Sequence, residues 1–193
     1  VFRSDDVTQE ILFETAAATV RADKQLVALG ASDGSVWLLD DLSDALAAAG
    51  ATAPADTSAK RKKADVQEIG AQHVGMTSKD LSVTRVAWRN DELATAGLDG
   101  MLRFWDIDSS VVKVSVPGGG KALTAMCISD ASCVVGCADG AVRLLDGRDG
   151  KGVVAVSVKG KGHAGIVSDV TWLDTDATMA SGGLDGAVRV WDM

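Results

Sequence analysis

Asp-Gly separates two short apolar runs at four places in this chain, and that repetition limits its fold more than any other feature. The pairs begin at Asp33, Asp99, Asp139 and Asp185. Each sits in a similar stretch: LVALGASDGSVWLLD (26–40), LATAGLDGMLRFWDI (93–107), CVVGCADGAVRLLDG (133–147) and SGGLDGAVRVWDM (181–193). Both residues of the pair tolerate positive φ, so each stretch reads as two strands joined by a hairpin turn, as at Asp33–Gly34 and Asp139–Gly140. Side chains alternate after the turn. That places Val36 with Leu38, Leu102 with Phe104, Val142 with Leu144 and Val188 with Val190, each pair on one face of its strand.

The four turns are 66, 40 and 46 residues apart (99 − 33, 139 − 99, 185 − 139). Two of these spacings lie near the period of about 40–45 residues found in propeller blades. The long one contains a stretch rich in Ala, Ser, Thr and Asp, from Asp41 into the Lys60–Lys63 run. Such a composition buries too little apolar surface to order itself. Residues 41–66 are therefore expected to be a disordered insert between two strands of one blade. A strand precedes three of the hairpins (SVTRVAW at 82–88, ALTAMCI at 122–128, IVSDVTW at 166–172). Another follows two of them (VVKVSV at 111–116 and VVAVSV at 153–158). Four strands per unit and no helical periodicity predict an all-β chain of about four four-stranded blades. The Trp-Asp pairs Trp105–Asp106 and Trp191–Asp192, with Leu39–Asp40 and Leu145–Asp146 as degenerate versions, resemble the WD-repeat β-propeller family. The expected units are 1–40 plus a strand near 66–72, then 73–118, 119–160 and 161–193. Rings of this family commonly close with about seven blades. The resemblance thus implies a fragment of a longer propeller, with at least one unpaired strand edge at each end.

The last repeat holds His163, Ser181 and Asp185, the residue types of a hydrolytic triad. A structural account fits better. The WD-repeat pattern places a His before the first strand, a Ser or Thr in the second, an Asp in the turn and a Trp in the third. His163, Ser181, Asp185 and Trp191 match it one by one, and His73, Thr95, Asp99 and Trp105 match it again in the second repeat. A set that recurs with the repeat is read as a buried hydrogen-bond chain. The third repeat has Val135 and Leu145 at the Ser and Trp positions, and its blade is expected to rely on apolar packing alone. PGGGK at 117–121 lacks the second half of a phosphate-binding loop and reads as a turn. Cys127, Cys133 and Cys137 have neither knuckle spacing nor a nearby His, and read as small buried strand residues of a reducing compartment. No catalytic group, metal or cofactor is expected.

The formal net charge is −8, with 27 acidic and 19 basic residues, a field that disfavours nucleic acid. No apolar run reaches the roughly 18 residues of a membrane helix, and no membrane contact is expected. The four consecutive charges Lys60, Arg61, Lys62 and Lys63 form a candidate nuclear-import run. The order of features is more distinctive than any one of them. A degenerate blade is followed by an insert ending in AKRKKADVQ and a blade with a full Trp-Asp. Then come a Lys121-to-Cys127 strand, Asp146-x-Arg148, a strand with Val154, Val156 and Val158, and His163. This succession resembles the WD-repeat subunit of the PeBoW complex, a family that matures the large ribosomal subunit with Pescadillo and Block-of-proliferation proteins. The resemblance covers roughly residues 16–193, without that family's N-terminal ubiquitin-like domain, first blades or last blade. It implies a non-catalytic scaffold in the nucleus and nucleolus, with those proteins and the pre-ribosomal particle as partners. Lacking the ubiquitin-like domain, the chain is not expected to engage the large AAA ATPase that acts on the family. Alternatives are a substrate receptor of a cullin-type ubiquitin ligase, docking its adaptor through Asp146 and Arg148, or another generic WD-repeat scaffold, and the alternative location is the cytoplasm.

Overall fold

The computed structural model describes residues 15–21, 26–40, 65–71, 81–129, 132–146, 152–156, 162–173 and 178–192. These residues form fifteen strands and no helix. The strands fall into four antiparallel sheets, each built from consecutive strands. The first blade holds β1 (Thr15–Arg21), β2 (Leu26–Ala31), β3 (Ser35–Asp40) and β4 (Asp65–Ala71). The second holds β5 (Val83–Arg89), β6 (Glu92–Gly97), β7 (Met101–Asp106) and β8 (Val111–Pro117). The third holds β9 (Leu123–Ile128), β10 (Cys133–Cys137), β11 (Val142–Asp146) and β12 (Gly152–Val156). The fourth has β13 (Val167–Trp172), β14 (Thr178–Gly183) and β15 (Val188–Asp192) among the described residues. In the first blade β4 pairs with β3 from Asp65 onward, so Asp65 and Val66, read from sequence as the end of the insert, lie in a strand opposite Asp40 and Leu39.

Each Asp-Gly turn has its glycine at positive φ: Gly34 at 90°, Gly100 at 77°, Gly140 at 82° and Gly186 at 75°. A side chain there would be strained, so the turn chemistry alone fixes the register of the two strands beside it. At Gly140 space is also exhausted, because an added Cβ would sit 2.0 Å from the His163 carbonyl oxygen.

The first strands of successive blades, β1, β5, β9 and β13, lie side by side along the inner edge of an arc. Blades stack face to face and bury three apolar layers. Ala28, Val36 and Leu38 of the first blade meet Val83, Val86, Leu93 and Trp105 of the second. Leu102 and Phe104 of the second meet Leu123, Met126, Cys133 and Val135 of the third. Val134 and Val142 of the third meet Val167, Val170 and Met179 of the fourth. In the first three blades the alternation after the turn therefore points its apolar pair at the next blade. Close approach at the inner edge requires glycine. A Cβ on Gly30 would lie 2.4 Å from Val83 Cγ1, and one on Gly136 would lie 2.4 Å from Val167 Cγ1.

Each inner hairpin carries a β-bulge at the same place, between Thr15 and Ala17, Val83 and Arg85, and Val167 and Asp169, with the third blade's shift at Gly136–Cys137. A bulge residue is released from the ladder and can aim its side chain elsewhere. Thr84 Oγ1 reaches the Ala96 carbonyl at 3.0 Å and the Leu123 carbonyl of the next blade at 2.7 Å. Thr124 Oγ1 repeats this with Gly136 at 3.2 Å and Val167 at 2.6 Å. These hydroxyls tie one blade's backbone to the next.

Candidate functional site

The fourth blade brings His163, Ser181, Asp185 and Trp191 into one connected group. His163 Nδ1 lies 2.8 Å from Asp185 Oδ1, and its Nε2 lies 2.8 Å from Ser181 Oγ. Trp191 Nε1 donates to the same Ser181 Oγ at 2.8 Å. With the indole N–H on the serine oxygen and the serine O–H on Nε2, Nδ1–H faces the carboxylate, and Arg189 Nη1, 2.7 Å from the same Nδ1, is held by Asp185 rather than by the ring. Arg189 donates to Asp185 Oδ2 at 3.0 Å. Asp185 also accepts the backbone N–H groups of Ala164 and Ala187. The His163 contact first, then the Ala164 N–H, hold its carboxyl well below the usual carboxylate range.

This is the hydrogen-bond topology of a catalytic triad without the access one needs. Ser181 is 1% exposed and His163 is 5% exposed. The serine oxygen that would attack a substrate already accepts the Trp191 N–H. The group spans the blade from the turn before β13 to β15 and ties His163 to the hairpin turn of β14 and β15. It also reaches backward, since the His163 N–H donates to the Gly140 carbonyl of the third blade's turn at 2.8 Å.

In the second blade Trp105 Nε1 donates to Thr95 Oγ1 at 2.8 Å, with both residues buried. Asp99 receives Arg103 at 2.7 Å and caps the Met101 N–H at 3.1 Å. His73 lies outside the described residues, as do the Lys60–Lys63 run and Arg148. Asp146 ends β11 opposite Gly152.

The third blade departs from the expectation of apolar packing alone. Val135 and Leu145 are fully buried against their neighbours, as expected. Yet Asp139 is gripped by Arg143 through two contacts, at 3.1 and 2.6 Å. That guanidinium, chiefly, lowers the Asp139 carboxyl below its ordinary value. The pair is general: Asp99 with Arg103, Asp139 with Arg143 and Asp185 with Arg189 form the same contact. The signal Asp-Gly-x-x-Arg stands in the sequence three times, and reading the turns alone passes over it. In the first blade Trp37 replaces the arginine. There Ser35 Oγ donates to Asp33 at 2.6 Å and accepts the Trp37 indole N–H at 2.8 Å. The Ser35 hydroxyl, and next its N–H, lower the Asp33 carboxyl.

Cys133 and Cys137 are buried and Cys127 is half-buried; all three are free thiols. Desolvation pushes the Cys133 and Cys137 thiols upward, away from the reactive thiolate. Among the described residues no cluster of His, Cys, Asp or Glu is arranged to hold a metal ion.

Comparison with known proteins agrees with this geometry. Residues 156–192 match the WD domain, G-beta repeat family. The chain is 32% identical over 157 residues to the ribosome biogenesis protein WDR12 homolog of Chlamydomonas reinhardtii, covering 74% of this chain and 34% of the relative. It is 30% identical over 105 residues to the U3 small nucleolar RNA-associated protein 21 homolog of Schizosaccharomyces pombe, covering 54% of this chain and 11% of that protein. The chain thus spans about a third of the length of the WDR12 homologs it matches. Among solved structures, the computationally designed Ika4 protein superposes with a TM-score of 0.67 at 23% identity, over 96% of this chain and 94% of that one. The designed Ika8 protein superposes with a TM-score of 0.66 at 24% identity, over 93% of this chain but 46% of that one.

Proposed function

We propose that this chain, a WD-repeat β-propeller protein, is a non-catalytic scaffold that holds partner proteins on precursors of the large ribosomal subunit during maturation of its ribosomal RNA. The observation that carries the reading is the match to WDR12 homologs named for ribosome biogenesis. At 32% identity over 157 residues it is longer than three periods of the repeat. The geometry is consistent with a scaffold. Among the described residues the triad-like group of the fourth blade has its serine and histidine buried and its serine oxygen engaged, so these side chains serve the blade. Fold alone would leave the partner open; here the relatives and the order of sequence features point the same way.

On this reading the partners are proteins of the pre-ribosomal particle, of the Pescadillo and Block-of-proliferation type, and the chain works in the nucleus and nucleolus. The net charge of −8 favours contact through those proteins over broad contact with RNA. The Lys60–Lys63 run supplies the import signal, and a reporter with all four changed to Ala should lose nuclear accumulation. The main test is affinity capture of the tagged chain from nuclear extract, followed by composition analysis. Enrichment of large-subunit assembly proteins and pre-ribosomal RNA is expected. Enrichment of cullin-ligase adaptors instead would replace the reading with the receptor role, in which Asp146 and Arg148 make the adaptor contact.

A further inference from the structure

The hydroxyl ties at the inner edge run from one blade to the next, Thr84 to the Leu123 carbonyl and Thr124 to the Val167 carbonyl. Arg85 reaches further. Its Nη1 donates to the Thr84 carbonyl at 2.8 Å, and its Nη2 donates to the Ser168 carbonyl at 3.0 Å. Thr84 stands in β5 of the second blade and Ser168 in β13 of the fourth. The inner strand of the third blade, β9, lies between those two and against both. The guanidinium therefore crosses the inner edge of a whole blade.

The position and the junction are both distinctive. Arg85 faces Ala96 across the ladder; the same register place holds Ala17 opposite Gly30, Ala125 opposite Gly136 and Asp169 opposite Gly182. Two alanines and an aspartate are too short to cross a neighbouring strand. At the first and third junctions a valine closes on a glycine, Val83 on Gly30 and Val167 on Gly136. At the second junction the same places hold Leu123 and Ala96, both fully buried, so the glycine seat is missing where Arg85 crosses. Its partners differ too. Arg21, Arg89, Arg103, Arg143 and Arg189 each hold a carboxylate. Arg85 forms no ion pair among the described residues and directs its planar fork at two backbone carbonyls. Asp169, next to Ser168, turns its Oδ1 to the Val170 N–H at 3.0 Å.

We propose that Arg85 is a strap that couples blades two apart, so that the second, third and fourth blades open as one unit. Stacked repeats ordinarily touch only their neighbours, and their stability is then a sum of single units and adjoining interfaces. Under that rule the fourth blade parts from the third without disturbing the second. With the strap in place, parting them also pulls the Ser168 carbonyl off a guanidinium anchored on β5. The strap acts on the scaffold itself and is independent of which partners the scaffold holds.

Amide hydrogen exchange on the 193-residue chain, compared with Arg85→Met, tests this. Methionine keeps the aliphatic stem and removes the donors. Amides of β13 and β14 should lose protection about three- to tenfold, the worth of one hydrogen bond at an exposed edge, although the substitution lies two blades away. Amides of β2 and β3 in the first blade should keep theirs. Arg85→Lys retains the charge on a single donor head and should give the same pattern at smaller amplitude. Asp169→Asn leaves both carbonyl contacts in place and should leave protection unchanged. Unaltered protection of β13 and β14 in Arg85→Met, or a loss confined to β5 and β6, would overturn the strap. So would an even loss over all four blades, or an equal loss in Asp169→Asn, which would place the effect in the carboxylate.

Discussion

Replacing Ser181 by threonine and by valine separates hydrogen bonding from packing in the fourth blade, because the two side chains have nearly the same shape. Threonine keeps the hydroxyl and copies Thr95, which takes the Trp105 N–H at 2.8 Å in the second blade. Valine copies Val135 of the third blade, where the Trp position holds Leu145. With valine, two groups lose their partner: Trp191 Nε1 and His163 Nε2, each now 2.8 Å from Ser181 Oγ. An orphaned buried polar group costs about 1–3 kcal/mol. The His163 ring counts in full because its side chain is 0% exposed. The half-buried Trp191 counts for less, since water recovers part of its N–H bond. The threonine–valine difference is therefore about 2–4 kcal/mol, or roughly 5–15 °C in Tm for a domain of this size. Urea unfolding of both variants, with equal m-values, is the assay. The same pair at residue 135 must show the opposite sign. Val135→Thr buries a hydroxyl at a position 0% exposed, among apolar neighbours, and should cost about 1–3 kcal/mol. Threonine and valine within about 0.5 kcal/mol at position 181, or the same sign at both positions, would refute the reasoning.

Acid should act through the turn carboxylates. Asp139 and Asp185 are held below their ordinary values, so their contribution is complete above the unfolded carboxylate pKa of about 4 and is lost as pH falls through the folded values. Asp139→Asn should flatten the fall in stability below pH about 4; an unaltered pH profile would count against the Arg143 grip. Gly136→Ala should cost about 1–3 kcal/mol in unfolding free energy, because the new Cβ would lie 2.4 Å from Val167 Cγ1 between the third and fourth blades. A thiol reagent at pH 8 should label half-buried Cys127 first and reach Cys133 and Cys137 only after unfolding, whereas three equally fast thiols would contradict the burial.

The strand plan was legible because it rests on local chemistry. Asp-Gly dictates the turn, alternation dictates the face, and the repeat period dictates how many strands share a blade. The fourth-blade group was legible for a related reason: His163, Ser181, Asp185 and Trp191 stand as residue types at fixed places in the repeat. What escaped depends on the chain folding back or leaving the ladder. Arg143 is four residues beyond Asp139, a distance at which an extended strand keeps side chains far apart, and only the turn folds the two together. Thr84 and Thr124 follow Val83 and Leu123 in the sequence, but their reach to the next blade comes from a bulge with no signature of its own. Val188 and Val190 have the same pattern as Leu102 and Phe104, because the pattern encodes a face and says nothing of whether a neighbour covers it.

Gradient sedimentation of nuclear extract containing the tagged chain tests the functional account most directly. The account predicts that the chain migrates with precursors of the large ribosomal subunit, moves to lighter fractions after ribonuclease treatment, and is recovered with the assembly proteins of those fractions. A chain that stays in light fractions before and after ribonuclease, or that tracks with ubiquitin-ligase components, would contradict it.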